Sequence, residues 1–274
     1  MKKIGVLGCG YVGRALTDHF VRDGHQLFVT TRKPERLVEL NAICHQAYLL
    51  RSTQDYLSFL KQLDLLFITV APESKNSYRC TYLETVQIVG KFLNQCPSLK
   101  QIIYTSSTSV YGDHQGRWVD ETTVCCPLNE TSQILLETEN QLISYLCPSL
   151  KIVIFRLGEI IGPGRSIAKR LQKNAGNPFL GDGHQYTNLT QLHEIILAAT
   201  LAVKNNWQGI YNLCNELHIS RKELYNSICQ RLSLPSIEWN PNQQSLHGGN
   251  KRVNSQKIKD HGMTFDSLSL DQKI

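Results

Sequence analysis

Three glycines near the start of the chain are spaced as Gly-x-Gly-x-x-Gly, between a short apolar run and a helical pattern. In such a turn Gly8 permits a tight bend, Gly10 lets the main chain approach a pyrophosphate, and Gly13 lets the following helix pack closely on the strand. The first amides of that helix, at Tyr11 and Val12, then face the phosphates. These five residues are the predicted pyrophosphate-binding turn of a dinucleotide site.

A second apolar run, at residues 26–31, predicts a strand that leads into Thr31, Arg32 and Lys33. A carboxylate is common at this place. An NAD site of this type places Asp or Glu about 20 residues after the glycines, where it binds both ribose hydroxyls. A hydroxyl and a guanidinium suit a 2′-phosphate instead, which a carboxylate would repel. We therefore predict that Thr31 and Arg32 bind the adenosine side of the cofactor, and NADP is favoured over NAD. The alternative is that Arg32 is a solvated charge before Pro34.

The carboxyl ends of two later strands supply further candidate residues. Ligands of open α/β sheets bind at these strand ends. Val70, Ala71 and Pro72 end the predicted fourth strand, beside the expected path of the adenosine. Ser106 and Ser107 end the predicted fifth strand. We predict that Val70, Ala71, Pro72 and Ser106 contact the cofactor.

The elements that must position these residues alternate between strands and helices. Strands are predicted from apolar runs and helices from 3.6-residue periodicity, at residues 26–31, 65–70, 101–105 and 151–156 for strands and at 78–93 and 132–146 for helices. Runs that are apolar on both faces indicate parallel strands covered by helices. We expect an α/β fold with a Rossmann-type, doubly wound parallel sheet, and an NAD(P)-binding domain over residues 1–156.

Beyond residue 156 the pattern changes to shorter elements and to loops rich in Gly and Asn. The change is clear from Gly162-Pro163-Gly164 onward, and one late strand is predicted at residues 209–213. Residues 157–274 are expected to form a smaller C-terminal substrate lobe that closes over the cofactor. The absence of a long linker predicts an extensive interface between the two parts.

Composition excludes several classes of function. The chain has 274 residues, of which 41% are hydrophobic and 19% charged, so it can bury a large core. Its net charge of +6 is dispersed rather than gathered in a basic stripe, which argues against nucleic-acid binding. No apolar run approaches the roughly 20 residues that span a bilayer, so no membrane insertion is expected.

The nine cysteines form no Cys-x-x-Cys pair and no zinc-ligand spacing with histidines. An odd number of cysteines without a pairing pattern fits free thiols in a reducing compartment. We therefore expect a cytoplasmic protein without a metal site.

The segment Tyr-Thr-Ser-Ser-Thr-Ser-Val-Tyr-Gly at residues 104–112 resembles the extended short-chain dehydrogenases/reductases, the NAD(P)-dependent epimerase/dehydratase group. Further short motifs fall in the order of that family, namely Asp113, Asp120-Glu121, Pro127, Arg156-Leu157, Gly162-Pro163-Gly164, Asn188, Leu192-His193-Glu194 and Tyr211-Asn212. Lys251-Arg252-Val253-Asn254 resembles a recurrent C-terminal segment of atypical members.

This resemblance implies an oxidoreductase, epimerase or dehydratase acting on a hydroxyl or carbonyl of a small sugar, free or nucleotide-linked. It also implies that Ser107, four residues before Tyr111, is the catalytic residue that hydrogen-bonds the reacting oxygen, and that the chain forms a homodimer through a four-helix interface. The alternative for Ser107 is a strand-end hydroxyl that satisfies backbone groups.

The chain departs from the family at the catalytic pair. Family members use Tyr-x-x-x-Lys, in which the lysine and the cofactor lower the pKa of the phenol so that it can exchange a proton near neutrality. Asn129 and Gln133 stand at these places, and none of the 11 tyrosines has a lysine four residues later. Neither side chain can carry a proton at useful pH. Candidate replacements by residue type are Asp113, His114, Glu121, Tyr145, His184 and Tyr186.

The glycine spacing departs more mildly. The family pattern is Gly-x-x-Gly-x-x-Gly ending at Gly13, and Leu7 occupies its first place. Gly8 restores the turn in the other common spacing, so cofactor binding is still expected.

Two alternatives to an epimerase/dehydratase-like enzyme remain open. One is a non-catalytic NADP(H)-binding protein, a redox sensor or regulator, which would keep the glycines and lose the proton relay. The other is a hydroxyacid dehydrogenase or a 6-phosphogluconate-type reductase, which the tight glycine spacing and Thr31-Arg32 favour. The serine-rich strand end and the Gly-Pro-Gly segment argue against the latter.

Overall fold

A computed structural model describes residues 1–174, 176–243 and 249–266. Its strands are β1 (Lys3–Leu7), β2 (Gln26–Thr31), β3 (Gln46–Leu49), β4 (Leu65–Ile68), β5 (Gln101–Ser107), β6 (Trp118–Val119), β7 (Lys151–Leu157), β8 (Glu159–Ile161), β9 (Phe179–Leu180), β10 (Leu189–Gln191), β11 (Gly209–Leu213), β12 (Trp239–Asn240) and β13 (Arg252–Val253).

The α-helices are α1 (Tyr11–Arg22), α2 (Leu37–Asn41), α3 (Thr53–Leu60), α4 (Tyr78–Thr81), α5 (Leu83–Phe92), α6 (Glu130–Ile143), α7 (Ile167–Lys173), α8 (Leu192–Lys204), α9 (Arg221–Arg231) and α10 (Gln256–Asp260). Short 3₁₀ helices cover Pro34–Arg36, Lys75–Ser77, Leu93–Gln95 and Thr108–Tyr111. In the described ranges, every helix is too short or too polar to cross a bilayer.

The central sheet has seven strands in the order β11-β7-β5-β4-β1-β2-β3. Strand β1 pairs in parallel with β2 on one side and with β4 on the other, so the strand order reverses at β1. Such a reversal is where open α/β sheets bind ligands, and the predicted pyrophosphate-binding turn directly follows β1. The predicted Rossmann-type α/β fold is confirmed.

Several predicted elements differ in their bounds, among them both predicted helices and strand β4, which ends at Ile68 rather than at residue 70. The helix predicted at residues 78–93 is divided at Tyr82 into α4 and α5. The Thr85 hydroxyl donates to the carbonyl of Cys80 at 3.2 Å, and a side chain that bonds within the helical ladder distorts it locally. Helix α6 begins two residues earlier than predicted because Asn129 Oδ1 accepts the amide of Ser132 at 2.9 Å, which is an N-cap bond.

The chain divides into two compact units, each built from several segments. The first unit comprises Met1–Ser106, Gln133–Phe155 and Ala198–Ile210, and the second comprises Ser107–Ser132, Arg156–Leu197 and the described part of Tyr211–Ile274. The first has a large apolar core that includes Leu7, Phe59 and Ile102, and the second has a smaller one that includes Ile161 and Leu224. The assignment of residues 1–156 and 157–274 to two functional domains stays a prediction.

Candidate functional site

The turn from Gly8 to Gly13, here called the glycine turn, has a different steric requirement at each glycine. Gly8 has a φ of +97°, and a Cβ there would lie 2.8 Å from the backbone of Val70. A Cβ on Gly13 would lie 2.3 Å from the carbonyl oxygen of Gly8. A Cβ on Gly10 would meet nothing within 4 Å. Two glycines are thus required by the fold, whereas Gly10 borders open space, as close approach of a pyrophosphate requires.

Two threonine hydroxyls hold the glycine turn in place. Thr30, in β2, accepts the amide of Gly8 at 3.1 Å. Thr69, just after β4, donates to the carbonyl of Gly8 at 2.8 Å. Because the two strands flank β1, the turn is fixed from both sides. Neither threonine was predicted from the sequence, although a hydroxyl near the carboxyl end of each flanking strand was a visible signal.

Helix α1 starts at Tyr11, directly after the open position at Gly10. Tyr11 and Val12 are the first two residues of the helix, so their amides lie in its first turn. The amides of a first helical turn carry partial positive charge and attract phosphate. The geometry therefore fits a dinucleotide phosphate at this turn.

Basic side chains cluster after β2. The Thr31 hydroxyl accepts the amide of Lys33 at 3.0 Å. The Arg32 guanidinium is exposed and donates to Thr85 Oγ1 at 3.3 Å. Lys33 forms an ion pair with Glu73 at 2.8 Å, in the segment that follows β4. The predicted adenosine-side residues of β2 therefore lie beside the segment after β4.

A further arginine in this cluster was missed by sequence analysis. Arg36 Nη1 donates to the carbonyl of Cys9 at 3.0 Å, which brings this guanidinium onto the glycine turn. Its Nε lies 3.6 Å from Glu39, so the charge is partly balanced. The signal was a second arginine one helical turn after Arg32.

The residues after β4 lie at the same strand ends. Val70 packs its backbone against Gly8 and is half-buried, as is Pro72, whereas Ala71 is exposed. The structure therefore brings Val70 directly to the glycine turn.

Ser106 is buried, and its hydroxyl donates to Glu139 Oε1 of α6 at 2.5 Å. Side chains alternate along a strand, so Tyr104, two residues before Ser106, lies on the same face of β5. The buried Tyr104 hydroxyl makes no hydrogen bond of normal geometry to a described residue, Ser106 included. The Ser106 hydroxyl is therefore committed to Glu139. Its main chain is the part of Ser106 that could contact a cofactor.

Ser107 opens the second unit, where its Oγ accepts the amide of Ser109 at 3.1 Å and caps the 3₁₀ helix Thr108–Tyr111. The side chain is half-buried. The hydroxyl hydrogen takes no part in that bond, so it can still be donated to a substrate oxygen. The alternative role, satisfying the backbone, and the predicted catalytic role are compatible in this geometry.

A buried polar network lies after that helix in the second unit. The Tyr111 hydroxyl donates to Asn212 Oδ1 at 2.8 Å, and the guanidinium of buried Arg156 lies 4.8 Å from the centre of the Tyr111 ring. Glu121 Oε1 accepts the amide of Asn212 at 2.6 Å, and burial raises the pKa of its carboxyl. Burial also raises the pKa of Tyr111, so this phenol is a poor substitute for the missing catalytic tyrosine.

The candidate replacements for the catalytic tyrosine differ sharply in environment. Asp113 accepts the amides of Gln115 and Asn250 at 3.0 and 2.7 Å, and these bonds hold the pKa of its carboxyl below the usual range. His114 Nε2 lies 3.0 Å from the carbonyl of Tyr111. Neither group is arranged as a proton donor to a ligand.

The remaining candidates for the proton donor also differ in their surroundings. Tyr145 lies in the first unit, and burial raises the pKa of its phenol. His184 is exposed, and the ring of Tyr186 lies 4.9 Å from the guanidinium of Arg252. Glu121 lies in the same unit as Ser107, and among the candidates it is the carboxyl whose pKa burial raises.

Asn129 and Gln133 stand where the family has its catalytic tyrosine and lysine, and neither side chain is placed as a proton donor. Asn129 caps α6 through Ser132, and the side chain of Gln133 is exposed.

Comparison with known proteins gives one match to a family model and two curated relatives. Residues 3–78 match the model of the family described as NADP oxidoreductase, coenzyme F420-dependent. Protein YeeZ of Escherichia coli strain K12 is 32% identical over 267 residues, covering 92% of this chain and 91% of the relative. Protein YeeZ of Escherichia coli O157:H7 matches equally.

Solved structures match over nearly the whole chain. A functionally unknown conserved protein from Silicibacter pomeroyi has a TM-score of 0.79 at 23% identity, covering 98% of this chain and 95% of that one. UDP-glucuronic acid 4-epimerase from Bacillus cereus, in complex with UDP-glucuronic acid and NAD, has a TM-score of 0.80 at 18% identity, with 98% and 95% covered.

A third structure is dTDP-glucose 4,6-dehydratase from Bacillus anthracis in complex with NAD, with a TM-score of 0.82 at 15% identity, covering 100% of this chain and 94% of that one. At these identities the matches show the fold. The chain thus has the fold of the NAD-dependent epimerases and dehydratases, and its identity to Protein YeeZ over nine-tenths of both sequences shows that it belongs to the YeeZ family.

Proposed function

We propose that this protein is an NAD(P)-dependent oxidoreductase of the epimerase/dehydratase kind, acting on a hydroxyl or carbonyl group of a small sugar, free or nucleotide-linked. The observation that carries the proposal is the glycine turn, which has two glycines forced by close packing and one that borders open space. The epimerase and dehydratase structures of the same fold are described in complex with NAD, which supports a nicotinamide cofactor.

Some of the chain's residues would bind the cofactor, and others would act on the substrate. The amides after Gly10 hold a pyrophosphate, and Arg32 with Thr31 holds a 2′-phosphate, so NADP is the preferred cofactor. Ser107 donates a hydrogen bond to the reacting oxygen, and Glu121 is the favoured proton donor because burial raises the pKa of its carboxyl. A bound nicotinamide supplies hydride transfer at its C4 position.

The second candidate function is a non-catalytic NADP(H)-binding protein. Asn129 favours it, because this residue stands where the family has its catalytic tyrosine and instead caps a helix through Ser132. A panel of carbonyl substrates, followed at the reduced-nicotinamide absorbance, separates the two. Turnover supports the enzyme, and saturable NADPH binding without turnover supports the binding protein.

The predicted cofactor preference depends on Arg32. Replacing Arg32 by Gln is expected to weaken NADPH binding by about 10-fold to 100-fold, since a hydrogen bond between charged groups contributes about 1.5–3 kcal/mol. Binding of NADH, which has no 2′-phosphate, should change little. The measurement is a fluorescence titration of both variants with NADPH and NADH.

Arg22→Gln is the matched control, because it removes one positive charge from the same unit and Arg22 donates within α1, to the carbonyl of Asp18. An equal loss of NADPH and NADH affinity in Arg32→Gln, or no loss of either, would contradict the proposed phosphate contact.

A further inference from the structure

The side chain of Lys251 is a buried cation in the second unit, and it forms no ion pair with any described carboxylate. Its exposed fraction is 6%. Its Nζ donates to the carbonyl oxygen of Gly112 at 3.0 Å. Within the described part of the chain, Nζ makes this one hydrogen bond. No carboxylate in those ranges lies within ion-pair distance of it. A buried ammonium can make three hydrogen bonds, so two of its donors have no acceptor among residues 1–174, 176–243 and 249–266.

The main chain around Lys251 is fixed on both sides, so the position of the amine is built into the fold. The Asn188 side chain holds the main chain on one side. Its Nδ2 donates to the carbonyl of Lys251 at 3.0 Å, and its Oδ1 accepts the amide of Val253 at 2.8 Å. On the other side, the amide of Arg252 donates to the carbonyl of Arg117 at 3.0 Å, where β13 pairs with β6.

The surroundings of the amine compensate its charge only in part. Burial lowers the pKa of Lys251, and the groups that oppose this shift are Cys214 and Asp113. Asp113 already accepts two backbone amides, those of Gln115 and Asn250, and Cys214 is a buried thiol whose pKa burial raises to about 12. A desolvated cation of this kind is stabilised by an anion brought to it.

Lys251 is connected to Ser107 through one short helix. Ser107 caps the start of the 3₁₀ helix Thr108–Tyr111, and Gly112, whose carbonyl holds the amine, follows its end. A 3₁₀ helix rises about 2 Å per residue. The five steps from Ser107 to Gly112 therefore span on the order of 10 Å, within the length of a small sugar derivative.

We propose that Lys251 binds an oxyanion of the substrate, a carboxylate or a phosphate, at one helix length from the hydroxyl of Ser107. The substrate is therefore an anionic small molecule that is held at its charged end by Lys251 while Ser107 contacts its reacting oxygen. The placement of the reacting end rests on the proposed function, whereas the anion site itself does not.

The test is a thermal-shift titration of the full chain with inorganic phosphate and, separately, with acetate, at ionic strength held constant with potassium chloride. The wild type is expected to show a saturable rise in melting temperature with one of the two anions. The anion that causes the rise shows whether the site takes a phosphate or a carboxylate. Lys251→Met should weaken that binding at least about tenfold. Lys259→Gln, which removes a charge from the exposed ion pair with Glu216, should bind like the wild type.

Equal shifts in all three proteins, or no saturable shift in the wild type with either anion, would overturn the proposal. Should Lys251→Met fail to fold, the wild type alone decides through the rate of reductive methylation of Lys251, followed by peptide mass spectrometry with Lys259 as internal reference. Saturable protection of Lys251 by the anion supports the site. No protection overturns it, and so does an amine that reacts in neither condition, because it is closed to anions as well.

This titration contains no nicotinamide nucleotide. A failed anion site therefore leaves the proposed cofactor binding standing, and a protein that fails to bind NADPH can still bind phosphate or acetate at Lys251.

Discussion

Gly13→Ala is expected to lower the free energy of unfolding by about 3 kcal/mol, at the upper end of overpacking effects. The added Cβ would lie 2.3 Å from the Gly8 carbonyl oxygen and 2.7 Å from Thr69 Oγ1. Both oxygens are held by the hydrogen bond that joins them, so neither can withdraw without opening the glycine turn. The melting temperature should fall by about 6–12 °C, measured by calorimetry or circular dichroism.

Gly10→Ala is the matched control, since its Cβ would meet nothing within 4 Å. It should melt within about 2 °C of the wild type, as a substitution without steric conflict does. A Gly13→Ala protein as stable as Gly10→Ala would show that α1 and β1 are not packed as closely as described.

The second large effect is expected on turnover. Ser107→Ala should lower the rate of carbonyl reduction at least about 100-fold, which is the usual loss when one donor to a reacting oxygen is removed. NADPH affinity should stay within about twofold, because the glycine turn lies elsewhere in the chain. The measurements are reduced-nicotinamide absorbance for turnover and fluorescence for binding.

Ser109→Ala serves as the control for the local structure. Its amide, which Ser107 accepts at 3.1 Å, is retained in that variant. Undiminished turnover in Ser107→Ala would leave this hydroxyl with its capping role alone. A loss shared by Ser109→Ala would point to the 3₁₀ helix rather than to the hydroxyl.

The parts of the fold that could be predicted from sequence are those with strong local signals. The glycine turn is specified within six residues, and the long apolar strands, such as β5 and β7, are buried on both faces and therefore continuous in the sequence. Strand β3 could not be given bounds from the sequence because it is four residues long and half-exposed. The small sheets formed by β6, β9, β12 and β13 use strands of two residues each, which carry no periodicity.

The contacts of the candidate site could not be predicted, because they join distant parts of the chain. Ser106 and Glu139 are 33 residues apart, Tyr111 and Asn212 are 101 apart, and Lys251 lies 139 residues from Gly112. Residue types alone gave six possible replacements for the catalytic tyrosine. The environments of their side chains, which only the fold determines, identify Glu121 as the candidate carboxyl whose pKa burial raises.

We propose that a dinucleotide pyrophosphate binds against the amides that follow Gly10. The most direct test is isothermal titration of NADPH into the wild type and into Gly10→Ala, which places a methyl group in the open space without disturbing its neighbours. The wild type should bind saturably, and Gly10→Ala should bind at least about tenfold more weakly, a loss of about 1.4 kcal/mol, at unchanged melting temperature. Equal affinity in the two proteins, or no binding to the wild type, would contradict the claim.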